Sequence, residues 1–377
     1  MSNITVDRKA LKAALTVLTN VVPKWSTIPA LNNVELRRDN GELVLRATDL
    51  EQAAILKISH ADADGEFKAL LPAKRLADIV RRSKADCVSF ASWGSDGSFG
   101  ATVGDAILLG LDPVDFPNVP KIKPTWSVEI EAQDFREAIA SVAFAVSREM
   151  VRYALTGILL ESGKGKLSFV ASNGKRLSAW TRKVRSKKLR RAIIPMGAIR
   201  TVERLVKKFD GKILLEIEDS DDKDVDPPIA IRIRVRIGET VVYTSSIEGT
   251  FPDWTAVVPT DRKHRFTFDR QDMIERIEQV LPFTHQTSCA IKFTFGESRC
   301  HLFARTADVG EGTARLDVDG LGEVHTVLDP NFVLDYLKTL LKGINKITVE
   351  LNDDISATVW KAEGFSSIYV LMPRNNL

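Results

Sequence analysis

The chain has 377 residues, of which 44% are hydrophobic and 27% charged, an ordinary composition for a globular protein with two or three domains. Its N-terminal segment lacks an apolar signal core, and no apolar run approaches the roughly 18 residues of a spanning helix, which predicts a cytoplasmic protein with no membrane partner. The 53 basic and 50 acidic residues leave a net charge of only +3, so binding to nucleic acid would require the basic residues to cluster in space.

Three similar passages follow one another along the chain, with a period of roughly 120 to 140 residues. Each opens with a short alternating strand and a helix that carries one apolar stripe, the pattern of an amphipathic helix packed on a sheet. The three stripes are formed by Leu11, Ala14, Leu15 and Leu18, by Phe135, Ile139 and Val142, and by Met273, Ile277 and Val280.

Each passage continues with alternating strands and then a second helix, which follows an apolar strand end and a proline. Pro72, Pro195 and Pro330 are expected in the first turns of these helices, where the missing N–H is not needed. The second stripes are Leu76, Ile79 and Val80, then Ile199, Val202, Leu205 and Val206, then Val333, Leu334, Leu337 and Leu340. Helices segregated on one side of antiparallel sheets predict an α+β fold in three repeated domains, residues 1–126, 127–260 and 261–377.

Signals for catalysis are weak in this sequence. No serine, cysteine or carboxylate stands in a recognisable nucleophile motif. The three cysteines are too widely spread for a disulfide framework or a metal knuckle. No metal-ligand spacing relates the five histidines, His60, His264, His285, His301 and His325. We therefore expect no catalytic residue, no metal site and no cofactor.

Six short motifs carry a resemblance to a known family. They are IPAL at residues 28–31, ATDLE at 47–51, DFP at 115–117, VRY at 151–153, ASNGKRL at 171–177 and YVLMP at 369–373. In order and spacing they resemble the landmarks of the bacterial sliding clamps, the beta subunits of DNA polymerase III, from the first strand to the last residues. The resemblance implies three domains of the DNA-clamp fold, pairing head to tail into a homodimeric ring with helices lining the pore and sheets outside.

A clamp of this kind is a processivity factor of DNA replication and not itself an enzyme. The resemblance implies that the ring encircles double-stranded DNA and tethers the catalytic subunit of DNA polymerase III, the clamp loader and other proteins that carry clamp-binding peptides. The alternative is a divergent clamp paralogue that has a repair or mobile-element role or forms no stable ring.

Basic residues recur on the predicted helix faces opposite the apolar stripes, and the second helices are expected to be net basic in all three repeats. Contacts from such residues to phosphates do not depend on DNA sequence, although solvation alone explains basic residues on any single exposed helix. The recurrence favours DNA binding by Lys12, Lys74, Arg81, Arg82, Arg136, Arg200, Arg204, Lys207, Lys338 and Lys342. The resemblance adds Lys24, Arg148, Arg152 and Tyr153, at positions where clamps touch DNA.

The resemblance also implies a pocket between the second and third domains that binds short linear motifs of client proteins. Such a pocket is mostly apolar, with a few polar groups at its edge. Burial in the core is the alternative explanation for Leu155, Val257 and Ile355. By position, the pocket comprises Leu155, Ser172, Gly174, Lys175, Arg176, Leu177, Pro252, Val257, Phe332, Ile355, Val370, Leu371, Met372 and Pro373.

Ring closure is expected to join two different surfaces of the chain. The resemblance implies that an edge strand near Ile107 and Leu108 of one copy meets the region of Pro282 and Phe283 of the other. Covering an apolar edge strand in a symmetric dimer removes a liability for aggregation. Alternatively, Ile107 and Leu109 lie in the core of their own domain.

Overall fold

The structure is a computed structural model that describes residues 2–95, 98–119, 121–186, 188–220, 229–285, 289–340 and 343–374. The predicted threefold repetition is present, because each repeat opens with a strand and a helix and later passes from a strand into a second helix. The first repeat contains helices α1 (Arg8–Val21) and α2 (Ala73–Arg82) and strands β1 (Ser2–Asp7), β2 (Asn33–Asp39), β3 (Glu42–Thr48), β4 (Gln52–Asp64), β5 (Lys68–Pro72), β6 (Cys87–Ser95), β7 (Ser98–Val103) and β8 (Ala106–Leu109).

The second and third repeats follow the same plan. The second contains α3 (Ala132–Val142), α4 (Met196–Val206), β9 (Trp126–Glu131), β10 (Gly157–Gly163), β11 (Lys166–Ser172), β12 (Arg176–Lys183), β13 (Arg190–Pro195), β14 (Lys212–Asp219), β15 (Ala230–Ile237) and β16 (Thr240–Ser245). The third contains α5 (Arg270–Val280), α6 (Pro330–Thr339), β17 (His264–Asp269), β18 (Ile291–Phe295), β19 (Arg299–Thr306), β20 (Gly310–Asp317), β21 (Asp319–Gly320), β22 (Val324–Leu328), β23 (Lys346–Leu351), β24 (Thr358–Ala362) and β25 (Ser367–Leu371).

Three helices begin after an aspartate whose side chain accepts hydrogen bonds from the first-turn N–H groups. Asp7 caps α1 by accepting from the Ala10 N–H, and Asp269 and Asp329 cap α5 and α6 in the same way. The predicted stripe residues of α1, Leu11, Ala14, Leu15 and Leu18, are all buried, as are those of α5. The amphipathic prediction for these helices is therefore confirmed.

The proline prediction is correct for one helix and wrong for two. Pro330 is the first residue of α6, but Pro72 and Pro195 are the last residues of β5 and β13 and precede α2 and α4. Both have extended backbone angles, with ψ of 112° and 144°, so the helical conformation starts only at the next residue.

The chain forms two compact units. Unit 1 comprises Met1–Asp134 and Ile194–Ser246, and unit 2 comprises Phe135–Ile193 and Ile247–Leu377. Unit 1 holds a 12-stranded sheet that contains the path β8-β7-β6-β1-β4-β16-β15-β14-β9. Unit 2 holds a nine-stranded sheet, ordered β13-β10-β11-β12-β25-β24-β23-β17-β21, and a four-stranded sheet, ordered β20-β19-β18-β22. The second repeat thus contributes strands to both units.

Consecutive repeats are joined by antiparallel strand pairing. In unit 1, β16 pairs with β4, with Val242 opposite Ala54. In unit 2, β25 pairs with β12, with Val370 opposite Leu177. The last strand of each later repeat therefore extends a sheet of the repeat before it.

A buried carboxylate links two strands of unit 1. Glu216 of β14 accepts from Arg234 Nε at 2.6 Å and from Arg236 Nε at 2.9 Å, both from the neighbouring strand β15. Burial alone would raise the pKa of Glu216, but the hydrogen bonds and charges of the two guanidinium groups lower it below its usual value. The carboxylate is therefore ionised at neutral pH and is hydrogen-bonded to the neighbouring strand β15.

Replacing Glu216→Gln is expected to lower the free energy of unfolding by about 2 kcal/mol at pH 7, because two arginines lose a charged acceptor. Because the folded pKa is depressed, this stabilisation is complete above the unfolded pKa of about 4.3 and is lost as the pH falls through the folded value. Urea unfolding at pH 7 and near pH 3 should show a difference between wild type and variant that shrinks in acid.

The matched control is Glu129→Gln on β9, whose carboxylate pairs with Lys212 at 3.1 Å with both side chains mostly exposed. This exposed pair should contribute well under about 1 kcal/mol at either pH. An equal loss in the two variants at pH 7 would contradict the assignment of stability to the Glu216 cluster.

Candidate functional site

Unit 2 contains an apolar cavity of about 400 Å³ beside the junction of β12 and β25. Its wall draws on the 3-10 segment Met150–Leu155, the turn between β11 and β12, residues 250–257 and the end of β25. Ten of the residues predicted for the client pocket line it, namely Leu155, Ser172, Gly174, Lys175, Arg176, Leu177, Pro252, Val257, Val370 and Met372.

Four predicted pocket residues do not line this cavity. Leu371 neighbours Val370 on a strand, so its side chain faces the opposite side and lies in the core formed around α5 and α6. Phe332 packs against the guanidinium of Arg176, and Ile355 is 78% exposed in the loop after β23. Pro373 follows Met372 and is partly exposed.

The cavity wall includes six residues that the pocket prediction missed. Arg152 and Tyr153 line the cavity, and their predicted contact with DNA stays a prediction. Phe251 and Trp254 belong to the segment GTFPDW, whose two aromatic residues beside Pro252 were the available signal. The remaining two are Ala154 and Thr250.

The turn between β11 and β12 is closed by its own side chains. Ser172 Oγ accepts from the Gly174 N–H, and Asn173 Oδ1 accepts from the N–H groups of Lys175 and Arg176 at 3.0 Å. Gly174 has φ of +84°, and a Cβ there would lie 1.8 Å from Nη1 of Arg152. The arginine can lie across the edge of the cavity because residue 174 has no side chain.

Arg176 lines the cavity and is held in place by groups behind the wall. Its guanidinium donates to Asp335 Oδ2 at 2.7 Å and to the carbonyl of Phe144, and it lies 4.4 Å from the ring centre of Phe332. The side chain is 7% exposed, whereas that of Asp335 is 50% exposed. The buried charge is therefore balanced by groups from α6 and from the segment after α3.

The aromatic residues behind the wall are held by a hydrogen bond and by ring stacking. The Tyr369 hydroxyl donates to the carbonyl of Phe332 at 3.0 Å, and its ring stacks on Tyr336 at 4.7 Å between centres. Burial raises the pKa of the Tyr369 phenol, so it remains neutral and able to donate.

Unit 1 has a smaller counterpart at the equivalent junction of β4 and β16. Thr48, Gln52 and Ala53 correspond in position to the turn and strand start of the unit 2 cavity, and Tyr243 lies on the paired strand. The space there is about 40 Å³, room for little more than a water molecule. A peptide side chain has no comparable opening at this place in unit 1.

Basic residues cluster on the helices of unit 1, where α1 packs against both α2 and α4. Helix α1 carries Arg8, Lys9 and Lys12 and no acidic residue. The exposed predicted residues of this group are Lys12, Lys74, Arg81, Arg82, Arg200, Arg204 and Lys207. Of these, Arg81 forms an ion pair with Asp78 one turn away, at 2.6 Å.

Arg276 and Lys338, on the helices of the third repeat, are paired with acidic residues. Lys338 Nζ lies 2.6 Å from Glu278 of α5, and Arg276 lies 3.1 Å from Asp272 on the same helix. Helix α5 carries two arginines against three acidic residues, and in α6 Asp335 offsets Lys338. Lys342 lies outside the described residues. The net basic face predicted for the second helix of this repeat therefore stays a prediction, and α5 supplies an acidic partner to its Lys338.

Three further predicted DNA contacts lie outside the helices of unit 1. Lys24 is exposed in the loop after α1, and Arg148 is exposed before the segment Met150–Leu155. Arg136 is partly buried on α3.

The predicted contact surfaces for a second copy lie on outer strands. Strand β8 ends the path of its sheet, and its Ile107 and Leu109 are 73% and 69% exposed, so these two side chains are not in the core. Strand β20 is an outer strand of the four-stranded sheet. Phe283 covers it at Gly312, where a Cβ would lie 2.2 Å from the ring, while Pro282 is exposed.

We predict that Arg176→Ala destabilises the protein by about 3 kcal/mol, since it removes a charged donor, the contacts with the rings of Phe144 and Phe332, and buried volume. Asp335→Asn should cost only about 1 kcal/mol, because the amide oxygen can still accept from the guanidinium, which keeps its bond to the Phe144 carbonyl and its contact with Phe332. Guanidinium unfolding of the wild type and the two variants measures the loss of unfolding free energy in each. Equal losses would show that the ion pair alone, and not the buried packing of Arg176, stabilises the wall.

Neither a metal site nor a membrane-spanning helix is present among the described residues. No cluster of three histidine, cysteine, aspartate or glutamate side chains there could hold a metal ion. None of the helices in the described ranges is both long and apolar enough to cross a membrane.

Comparisons with known proteins agree with this architecture. Family models for the N-terminal and central domains of the DNA polymerase III beta subunit match residues 2–120 and 129–253, together more than half of the chain. The beta sliding clamp of Chlamydia pneumoniae is 28% identical and that of Chlamydia muridarum 26%, each alignment covering 98% of this chain and 97% of the relative. A DNA polymerase III beta subunit from Pseudomonas aeruginosa superposes with a TM-score of 0.90 at 24% identity, covering 100% of both chains. The chain has the three-domain clamp fold and belongs to the DNA polymerase III beta subunit family, the bacterial sliding clamps.

Proposed function

We propose that this chain is a DNA sliding clamp, a processivity factor that encircles duplex DNA and holds the replicative polymerase and other proteins on it. The basic helix surface of unit 1, within a clamp fold, supports this function. Membership of the family and the match to beta sliding clamps over nearly their full length do not favour a paralogue with another role. We expect the protein to act in the cytoplasm.

The DNA-facing surface is assigned to α1, α2 and α4. Their exposed lysines and arginines can contact phosphates without reading bases, which suits movement along any sequence. Helices α5 and α6 contribute less, because Lys338 is already paired with Glu278. The attraction to DNA is therefore unevenly distributed along the chain.

Ring closure is proposed to use the outer strands. Ile107 and Leu109 of β8 are exposed on one copy, and the Pro282–Phe283 region lies beside the outer strand β20 on the other. Joining these surfaces in both directions gives a closed dimer and covers two strand edges.

The cavity of unit 2 is proposed as the docking site for client peptides, including those of the DNA polymerase III catalytic subunit and the clamp loader. It is apolar and about 400 Å³, which is enough for two large apolar side chains. Val257 and Met372 are each 43% exposed on its wall, so they can contact a ligand without supporting the core.

Removing two cations from α2 should weaken duplex binding and its dependence on salt. For Lys74→Ala combined with Arg82→Ala, the slope of log affinity against log salt is expected to fall by about 2, since each phosphate contact contributes about 0.9. Lys338→Ala should leave the slope unchanged because its ammonium pairs with Glu278. Titrations of a blunt duplex between low and moderate salt test this, and a lower slope for Lys338→Ala would contradict the assignment.

Truncating the cavity wall should weaken peptide binding without affecting folding. We expect Val257→Ala and Met372→Ala each to reduce affinity for the clamp-binding peptide of the cognate polymerase by about fivefold to tenfold, through lost apolar contact. Val151→Ala is the matched control, because Val151 is 95% exposed and does not line the cavity. Calorimetric titration measures the affinity for the peptide, and thermal melts measure the stability of each variant. Unchanged affinity in both wall variants would place the peptide elsewhere.

A further inference from the structure

The loop after α1 presents an unusually exposed aromatic side chain. Trp25 is 79% exposed, more than any other aromatic residue in the part of the chain that the structure describes. Trp126, Trp180 and Trp360, by contrast, are buried. Singly exposed apolar residues are common on protein surfaces, so the surroundings of Trp25 decide what it means.

The loop is anchored at both ends. Val21 and Val22 are buried where α1 ends, and Ala30 and Leu31 are buried in the 3-10 segment Pro29–Asn32. Between them, Ser26 Oγ accepts from the Ile28 N–H at 3.0 Å. A short loop fixed on both sides therefore holds the indole in solvent.

The charged residues near Trp25 in the sequence are all basic. Lys24 beside it is exposed, and no aspartate or glutamate occurs from residue 8 to residue 34. The same stretch contains Lys9 and Lys12, which are exposed on α1. A cation next to a flat aromatic ring suits a nucleotide, whose phosphate meets the lysine while its base stacks on the indole.

Given the proposed function, on which this inference rests, we propose that Lys24 and Trp25 form a contact for single-stranded DNA. In a duplex the faces of the bases are covered by their neighbours, so an indole can stack only on an unpaired base. Such bases occur where the encircled duplex ends in a single-stranded template. The loop would thus distinguish primed DNA from continuous duplex, which the phosphate contacts of α1, α2 and α4 cannot do.

The emission of Trp25 gives a direct test, because subtracting the spectrum of Trp25→Phe from that of wild type isolates its contribution. Oligo(dT) should quench this contribution and a blunt duplex should not. Trp25→Ala should lower affinity for oligo(dT) by about tenfold, as expected for the loss of one stacked base, while Trp25→Phe keeps most of it. Lys24→Ala should instead lower the salt slope by about 1 and preserve the quenching at saturation.

Leu321→Ala is the matched control, since Leu321 is 80% exposed but stands between Asp319 and Glu323. It should bind oligo(dT) as wild type does. Equal quenching by duplex, or wild-type affinity in Trp25→Ala, would overturn the proposal. Loss of polymerase binding with unchanged oligo(dT) affinity would also overturn it, because Trp25 would then contact a protein.

The same samples separate this inference from the proposed function. Wild-type protein loaded on a nicked circular plasmid should remain bound in high salt, and Trp25→Ala should be retained equally. If wild type is retained while Trp25 is not quenched by oligo(dT), only the single-strand contact fails. If wild type itself is not retained, the clamp function fails.

Discussion

Strand β16 pairs with β4 and strand β25 pairs with β12, so the last strand of each later repeat extends a sheet of the repeat before it. Backbone hydrogen bonds of this kind fix the register between repeats, because a shift by one residue would turn every side chain to the other face. The cavity of unit 2 depends on this register, since it places Leu177 opposite Val370 and brings Met372 to the wall. Extension of the outer strands β8 and β20 by a second copy is the corresponding proposal for the ring.

The proposed DNA-binding and peptide-binding surfaces lie in different units. Unit 1 carries the basic helices, and its counterpart of the cavity is nearly closed. Unit 2 carries the open cavity, backed by Arg176, while the charges of α5 and α6 largely pair with each other. DNA attraction and peptide docking are therefore assigned to different units, and substitutions that impair one need not impair the other.

Much of this architecture could be predicted because it depends on local patterns. The apolar stripes of α1 and α5 follow from helical spacing, and seven of the ten predicted residues that line the cavity lie in motifs that carry the family resemblance. Pairing over long separations could not be predicted in this way. Lys338 meets Glu278 from another helix, and Arg152 lies over Gly174 only because the chain folds back there.

Other differences have equally local causes. Leu371 fails as a pocket residue because strand alternation turns it away from its neighbour Val370. Pro72 and Pro195 end strands instead of starting helices, because their ψ angles are extended. Trp25 is adjacent to a predicted DNA contact, but its exposure is a property of the folded loop and could not be read from spacing.

Closure of this chain around duplex DNA can be tested by its retention on DNA of different topology. The protein is loaded onto a nicked circular plasmid with its cognate loader, the salt is raised, and bound protein is followed by gel filtration before and after the plasmid is linearised. Topological encirclement predicts retention on the circle and rapid loss from the linear form, since salt weakens phosphate contacts but cannot open a closed ring. Equal loss from both forms in high salt, after loading has been verified, would contradict the closed ring and leave simple electrostatic binding.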